Sequence, residues 1–493
     1  MNRSITIILL CAALPLVGCD STRAPSFQLS EQSEGLSSFA REKVQGELNA
    51  GFGSPADLVV WSELEVDFGQ YSGNVKKVST KAGMLRIGEQ SDDDETATDD
   101  KEPVYDGLAA VSGLASARRL SELQGAAVVI SRAQPKSAAE AESDDGEESA
   151  AVTQTPQVYR VASYDVAKQE LHVVDADGDP AQMDVSAGDS VQILGSALQH
   201  GRNLYLRHCM HCHGVSGDGA GPTAQYFKVK PRDYRHGIIK FTSTKASVLK
   251  PSNKDIFRII KLGVPGTYMP SFMLLPDDEV KLITEYVRWL AMRGEMERKL
   301  NAWLVTSYSQ EAVDEADSAS ELQADFDTEW SEDAGDNIER FGNDLKLDWQ
   351  DADKPESVVN PTVPRTPSSS ESIVRGRKIF LSKEAKCASC HGETARGNGP
   401  STEAFNDLPG KPPGTKSDKP GLFDNWGNIV KPRNLTTGVF RGGRRPIDIY
   451  RRIHSGIKGT PMQAFGTTLK EEQIWDVVNY VLSIPFEEKQ GGH

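Results

Sequence analysis

Two short stretches carry the residues best suited to chemistry. Residues 208–214 read HCMHCHG and residues 386–392 read KCASCHG. Each sets a pair of cysteines in C-x-x-C spacing, Cys209 with Cys212 and Cys387 with Cys390, and each puts a histidine next, His213 and His391. A C-x-x-C pair alone can act as a redox dithiol or supply half of a zinc site. Two such pairs can also join in one four-thiolate zinc site. The added histidine points to a further chemistry, covalent attachment of c-type haem. Thiols at this spacing reach the two vinyl groups along one edge of a porphyrin, and the adjoining histidine then falls under the iron. Both pairs are followed by His-Gly, and both sit in a repeated block, which favours haem over zinc.

The repeat extends well beyond the motif. GRNLYL at 201–206 matches GRKIFL at 376–381, and KPRDYRHGIIK at 230–240 matches KPRNLTTGVFR at 431–441. DIFRIIKLGVPGTYMPSF at 255–272 aligns without a gap on DIYRRIHSGIKGTPMQAF at 448–465. Two domains of one fold explain this. Each repeat predicts a helix ending at the cysteine motif. A last helix carries an apolar stripe, Val280, Ile283, Val287 and Leu290 in one repeat and Ile474, Val477, Val478 and Val481 in the other. Gly201 and Gly376 should let first and last helices cross closely, with Tyr286 and Tyr480 at matching places. Asp277 and Asp278 open the first of these last helices.

An aligned methionine stands in each repeat, Met269 in GTYMP and Met462 in GTPMQ. A thioether is soft and has no proton to lose, so it can bind iron in both oxidation states and raise the potential. Met273, Met292 and Met296 read instead as core filler. Arg232 and Arg433 of the paired KPR, and Lys240 and Arg441 of the paired GIIK and GVFR, are candidate contacts for haem propionates. His208 and His211 have no counterpart in the second repeat and read as surface or packing residues; His236 and His454 receive no role. The cluster Arg441, Arg444, Arg445, Arg451 and Arg452 forms a positive patch suited to an acidic partner.

On these residues each repeat resembles a class I cytochrome c domain. The resemblance implies thioether anchors at Cys209, Cys212, Cys387 and Cys390, proximal ligands His213 and His391, and distal ligands Met269 and Met462. The whole chain resembles bacterial dihaem cytochrome c lipoproteins and, more loosely, the dihaem subunit of cbb3-type oxidases, from which it departs in lacking a membrane helix. The implied fold class is mainly α, two tandem class I cytochrome c domains preceded by a small β-containing module with disordered acidic inserts. The implied function is electron transfer without catalysis, by a membrane-tethered carrier of single electrons with two covalently bound haem c groups. Its partners would be a quinol-oxidising complex and a terminal oxidase or a soluble cytochrome or cupredoxin. The alternatives are a dihaem peroxidase-like or small-molecule oxidoreductase, and a haem-bearing subunit of a larger oxidase complex.

Bulk properties bound these expectations. The 493 residues carry a net charge of -16, with 38% hydrophobic and 26% charged residues. That is too long for one core and too acidic for a nucleic-acid binder. Arg3 precedes an apolar run, Ile5 to Val17, too short for a membrane span. The run ends in LVGC at Cys19, which resembles a lipobox. In that case Cys19 is acylated, and the chain is exported and anchored at the periplasmic face of a bacterial membrane, with Asp20 favouring the inner one. A plain secretory signal with an incidental cysteine is the alternative.

The expected layout is a signal peptide at 1–18, a polar tether at 19–35, an α/β module at 36–195, cytochrome c domain 1 at 196–296, a connector at 297–371 and cytochrome c domain 2 at 372–488. A helix is expected near 36–50 and short strands within 157–195. Acidic runs at 91–102 and 138–150 have the composition of disordered segments. The connector is acidic and then Pro/Ser-rich, with helical character in its first part, and the insertion at 408–430 reads as an exposed excursion.

Overall fold

A computed structural model describes residues 26–61, 64, 66–78, 84–88, 126–131, 157–165, 170–175, 178–187, 189–409 and 414–487. The signal segment, Cys19 and both acidic runs lie outside the described residues.

The chain enters as helix α1 (Ser38–Phe52), capped by the Ser37 side chain and burying Ala40, Val44, Leu48 and Phe52 along one stripe. Six strands follow, β1 (Gln70–Val78), β2 (Met84–Gly88), β3 (Ala127–Ser131), β4 (Gln157–Asp165), β5 (Glu170–Val174) and β6 (Ser190–Leu194). They close into a barrel in the order β1-β2-β5-β4-β3-β6, antiparallel throughout. Closure leaves no open edge. Val128, Val161, Leu171, Val173, Val191 and Ile193 fill it. The last three strands fall where short β-branched runs lie between turn residues, whereas β1 to β3 lie ahead of the stretch in which strands are expected.

The barrel hands directly to the first repeat. Helix α2 (Ser196–His208) begins one residue after β6 and runs into the first cysteine motif. Helix α3 (Asn253–Leu262) starts on a reciprocal capping box between Ser252 and Asp255. Helix α4 (Asp277–Tyr308) opens on three acidic residues, as the helix dipole favours. α2 crosses α4 at Gly201, where a Cβ would strike the Leu282 carbonyl. Tyr205 and Tyr286 meet beside the crossing with ring centroids 5.2 Å apart.

The second repeat rebuilds this arrangement. Helix α6 (Ser370–Phe380) crosses helix α8 (Glu471–Glu487) at Gly376, where a Cβ would strike the Asp476 carbonyl. Phe380 and Tyr480 stand in for the tyrosine pair, 5.4 Å apart and edge to face. Helix α7 (Pro446–Ser455) corresponds to α3.

Three expected boundaries move. The polar tether is packed from Phe27 onward. Phe27 is buried against Trp289, Ser30 N–H and Ser33 Oγ both donate to Glu297 Oε1 at 2.6 Å, and Glu31–Glu34 forms a single helical turn. One aromatic and two serines suffice because α4 presents a buried carboxylate there. α1 also packs on α4, so it belongs to the core of the first repeat and not with the barrel. The first domain does not end at 296, because α4 runs on to Tyr308 and helix α5 (Ala319–Asp353) returns along it. α5 is acidic overall, but Phe326, Phe341, Leu345 and Trp349 form a buried stripe. Trp349 Nε1–H donates to Glu295 at 3.0 Å, and Lys250 pairs with the same carboxylate. Met292 and Met296 are buried as expected, but Met273 is exposed in the turn before α4.

The expected close approach of the paired helices predicts a sharp sensitivity. Gly201→Ala and Gly376→Ala should each destabilise the protein by about 1–3 kcal/mol, since the added methyl must displace helix backbone. Gly335→Ala on the exposed face of α5, where a Cβ meets nothing, should instead be neutral or stabilise by up to about 1 kcal/mol. Urea or thermal melts of the three variants test the contrast.

Two candidate cofactor clefts

Each cysteine motif coils into a short helical turn, Met210–His213 in the first repeat and Cys387–His391 in the second. A glycine ends each turn, Gly214 at φ 78° and Gly392 at φ 77°, a conformation that suits glycine. In the first repeat Tyr205 Oη–H donates to the Gly214 carbonyl at 2.7 Å and ties the turn to α2.

The histidines are aimed by main chain. His213 Nδ1 lies 3.2 Å from the Arg232 carbonyl, and His391 Nδ1 lies 3.3 Å from the Arg433 carbonyl. A carbonyl only accepts, so Nδ1 carries the proton and Nε2 keeps its lone pair as a metal ligand. Burial pushes His213 down to about 4 and also lowers His391, against the opposing pull of the carbonyl in each case. Both rings are therefore neutral at physiological pH.

The cysteines form no disulfide. Burial pushes the Cys209 thiol up to about 12 and Cys387 to about 11, the reverse of the low values that make a reactive dithiol. The two pairs lie in separate clefts, so they do not build one four-thiolate zinc site.

Met269 and Met462 line the same clefts as these groups and sit on matching loops. Val264 N–H donates to the Met269 carbonyl at 3.1 Å, and Ile457 N–H to the Met462 carbonyl at 3.0 Å. In each loop a threonine hydroxyl, Thr267 or Thr460, donates back to Val264 or Ile457 at 2.7 Å and accepts the methionine N–H. The apolar walls come from equivalent places: Ile256, Ile260, Ile283 and Val287 in one cleft, Ile449, Ile453, Val477 and Val481 in the other.

Cations complete each cleft. Lys230, Arg232, Lys240 and Arg441 line the first; Lys240, Lys386, Lys431, Arg433, Arg441 and Arg452 line the second. Lys240, Phe241 and Arg441 are thus common to both. Arg441 Nε and Arg452 Nη1 are buried without a hydrogen-bond partner among the described residues. An apolar slot with two thiols, a neutral imidazole, a thioether and unsatisfied cationic donors fits a haem whose propionates reach the arginines.

The structure brings Cys209, Cys212, His213 and Met269 together with Arg232 and Lys240, and Cys387, Cys390, His391 and Met462 together with Arg433 and Arg441. His208 and His211 line the first cleft as packing and surface residues, with His208 edge-on to Phe272 and His211 exposed. Three features depart from expectation. The arginine patch is largely spent internally: Arg445 pairs with Asp448, Arg451 donates to the Val359 carbonyl, and Arg452 is buried. The 408–430 insertion is not a free excursion. Its strands β7 (Leu422–Phe423) and β8 (Ile429–Val430) form a hairpin that presents buried Asp424 to Lys240 and Arg232 of the first repeat. His236, given no role, packs beside Trp426 of that hairpin at 5.2 Å. Asp424 was invisible as a site residue because nothing local to it marks a partner as distant in sequence as Lys240, and Arg452 reads in sequence only as part of the arginine cluster.

Two segments, 198–291 and 373–485, match the family model for Cytochrome c. The chain therefore contains two cytochrome c domains, of the class that binds c-type haem covalently and transfers electrons. A chain of the reducing HAO-like protein complex of Kuenenia stuttgartiensis is similar at 26% identity over 58% of this chain and 95% of that one, with a TM-score of 0.39. No curated protein matches.

Burial pushes His236 down to about 4, against the pull of Asp233 3.8 Å away. Its folded value lies below the unfolded one, so the stability it permits is present above pH ~6.5 and is lost as pH falls toward 4. His236→Gln should therefore show a smaller drop in urea midpoint than the parent chain between pH 7.5 and 4.5 (about the span of this titration). An equal drop in both would remove the buried neutral imidazole as a cause.

Proposed function

We propose that this protein is a membrane-tethered dihaem c-type cytochrome that carries single electrons between a quinol-oxidising complex and a terminal oxidase or soluble acceptor. In this reading Cys209 with Cys212 and Cys387 with Cys390 would anchor the two porphyrins, and His213 with Met269 and His391 with Met462 would supply the ligands to the irons. Bound haem would supply a reversible one-electron iron couple. The observation that carries the reading is the duplication of the whole donor set, with histidine and methionine lining one cleft in each domain.

The protein's own part is positional. The Arg232 and Arg433 carbonyls hold the imidazoles in one tautomer. The threonine-braced loops hold the methionines. The isoleucine and valine walls exclude water, which favours the iron state of lower charge. Arg232, Lys240, Arg433 and Arg441 are the proposed propionate contacts, and Arg452 joins them. Paired methionines support a carrier over a peroxidase-like catalyst, because a catalyst needs an open iron position with an acid or base beside it. Among the described residues no helix is long and apolar enough to cross a membrane. The proposed tether is the acylated Cys19.

Replacing Met269 and Met462 one at a time should remove the methionine-to-iron absorption band of one haem in each case, lower that haem's potential and open it to cyanide. An unchanged spectrum would reject the assigned ligand. Cys19→Ser should move the protein from the membrane fraction to the soluble periplasmic fraction without loss of colour; retention in the membrane would count against the lipid anchor.

A further inference from the structure

Lys240 and Arg441 occupy corresponding repeat positions and stand between the clefts, but their surroundings differ. Lys240 Nζ donates to Asp424 Oδ2 at 3.1 Å, and the Arg232 guanidinium lies 3.9 Å from the same oxygen. Asp424 comes from the inserted hairpin of the second domain and is 3% exposed. Its other oxygen accepts the main-chain N–H groups of Trp426 and Asn428 at 3.2 and 3.0 Å, so the carboxylate is fixed in place. The Arg232 guanidinium in turn covers the Trp426 ring, 3.7 Å from its centroid. Two cations of the first cleft, Arg232 and Lys240, are therefore partly offset by a buried anion. On the second side Arg433 donates to the Val439 carbonyl and Arg441 to the Gly266 carbonyl, and neither forms an ion pair with a carboxylate among the described residues.

Charge this close to a buried iron acts on its potential. Oxidation adds a positive charge, which a nearby anion stabilises and a nearby cation opposes, most strongly where water is excluded. The first haem would feel Arg232 and Lys240 partly offset by Asp424, whereas the second would feel Arg433 and Arg441 held by carbonyl dipoles, with Asp448 acting on Arg452 alone. We propose that Asp424, delivered across the domain interface by the second repeat's insertion, sets the potential of the first haem below that of the second, so that an electron settles on the second domain. The proposal rests on the dihaem reading above. It gives the insertion a role and gives the molecule a direction.

Spectroelectrochemical titration of the full chain with both haems bound tests this, each midpoint being assigned to its domain with the Met269 and Met462 variants. The lower midpoint should belong to the first domain. Asp424→Asn should raise that midpoint and reduce the inter-haem equilibrium constant about tenfold, about 59 mV for a one-electron couple. Asp424→Glu should keep the gap. Lys240→Gln should move the first-domain midpoint the other way, downward, by leaving the carboxylate uncompensated; a rise or no change would overturn the proposal even where the Asn variant fails to mature. A lower midpoint on the second domain, or identical midpoints for the Asn and Glu variants, would also overturn it. A parent chain that matures with fewer than two haems overturns the dihaem reading itself, and this proposal with it.

Discussion

A hydrogen bond from an imidazole Nδ1–H to a peptide carbonyl organises each half of this protein. It is the contact that makes a buried histidine useful, because it selects the tautomer whose free nitrogen can bind a metal. It also dictates how the chain must run. The KPR segment has to pass alongside the histidine, so its main chain, and not its arginine side chain, is the primary partner. That requirement is met twice, once in each repeat, at nearly the same distance.

The rest of each domain brings that segment and the methionine loop to a common cleft. Helices α2 and α4, or α6 and α8, approach so closely that only glycine fits at the crossing, and the aromatic pair beside it fills what the glycine leaves. In the first domain the scaffold is thickened. α1, the N-terminal turn and α5 wrap the long α4, and buried charges at Glu295 and Glu297 hold them through Lys250, Trp349 and the two N-terminal serines. Buried carboxylates with several partners of this kind specify position more than they add stability. The second domain is wrapped more lightly, by the end of the connector, where Thr362 N–H donates to Glu471 at 2.7 Å and Trp475 Nε1–H to the Val363 carbonyl at 3.1 Å.

Contact between the domains is polar as well as close. Val359 N–H donates to the Ser243 carbonyl and Lys245 N–H to the Ser357 carbonyl, both at 2.8 Å, so the end of the connector pairs with a loop of the first domain. Arg258 reaches across to Asp448 at 2.6 Å, and Asp255 and Asp448 are equivalent residues of the two repeats. The clefts come to share Lys240, Phe241 and Arg441 as a result. Two carriers on a flexible tether would exchange electrons by chance encounter. With a haem in each cleft, as proposed, two that share a wall would act as one redox unit.

The cysteine motifs, the aligned methionines and the duplication were all legible in the sequence, as were the apolar stripes of the terminal helices. Their signals are local: covalent attachment fixes a spacing, a helix face fixes a period, and a repeat carries its own alignment. The connector's helix was half legible, because a long run of acidic residues masked a stripe of Phe326, Phe341, Leu345 and Trp349 at wide intervals. Strand β1 was not, since QYSGNVKKV carries glycine and lysines where a strand signal expects alternation, whereas AVVIS of β3 is a β-branched run that does carry a strand signal. What the sequence determined by itself was the set of thiol, imidazole and thioether groups proposed to hold the porphyrins. Which carbonyl aims each histidine, which carboxylate faces Lys240, and that the clefts abut were decided by the tertiary structure alone. A carbonyl looks the same at every residue and a charge pair leaves no mark on the spacing of either partner, so only folding reveals them.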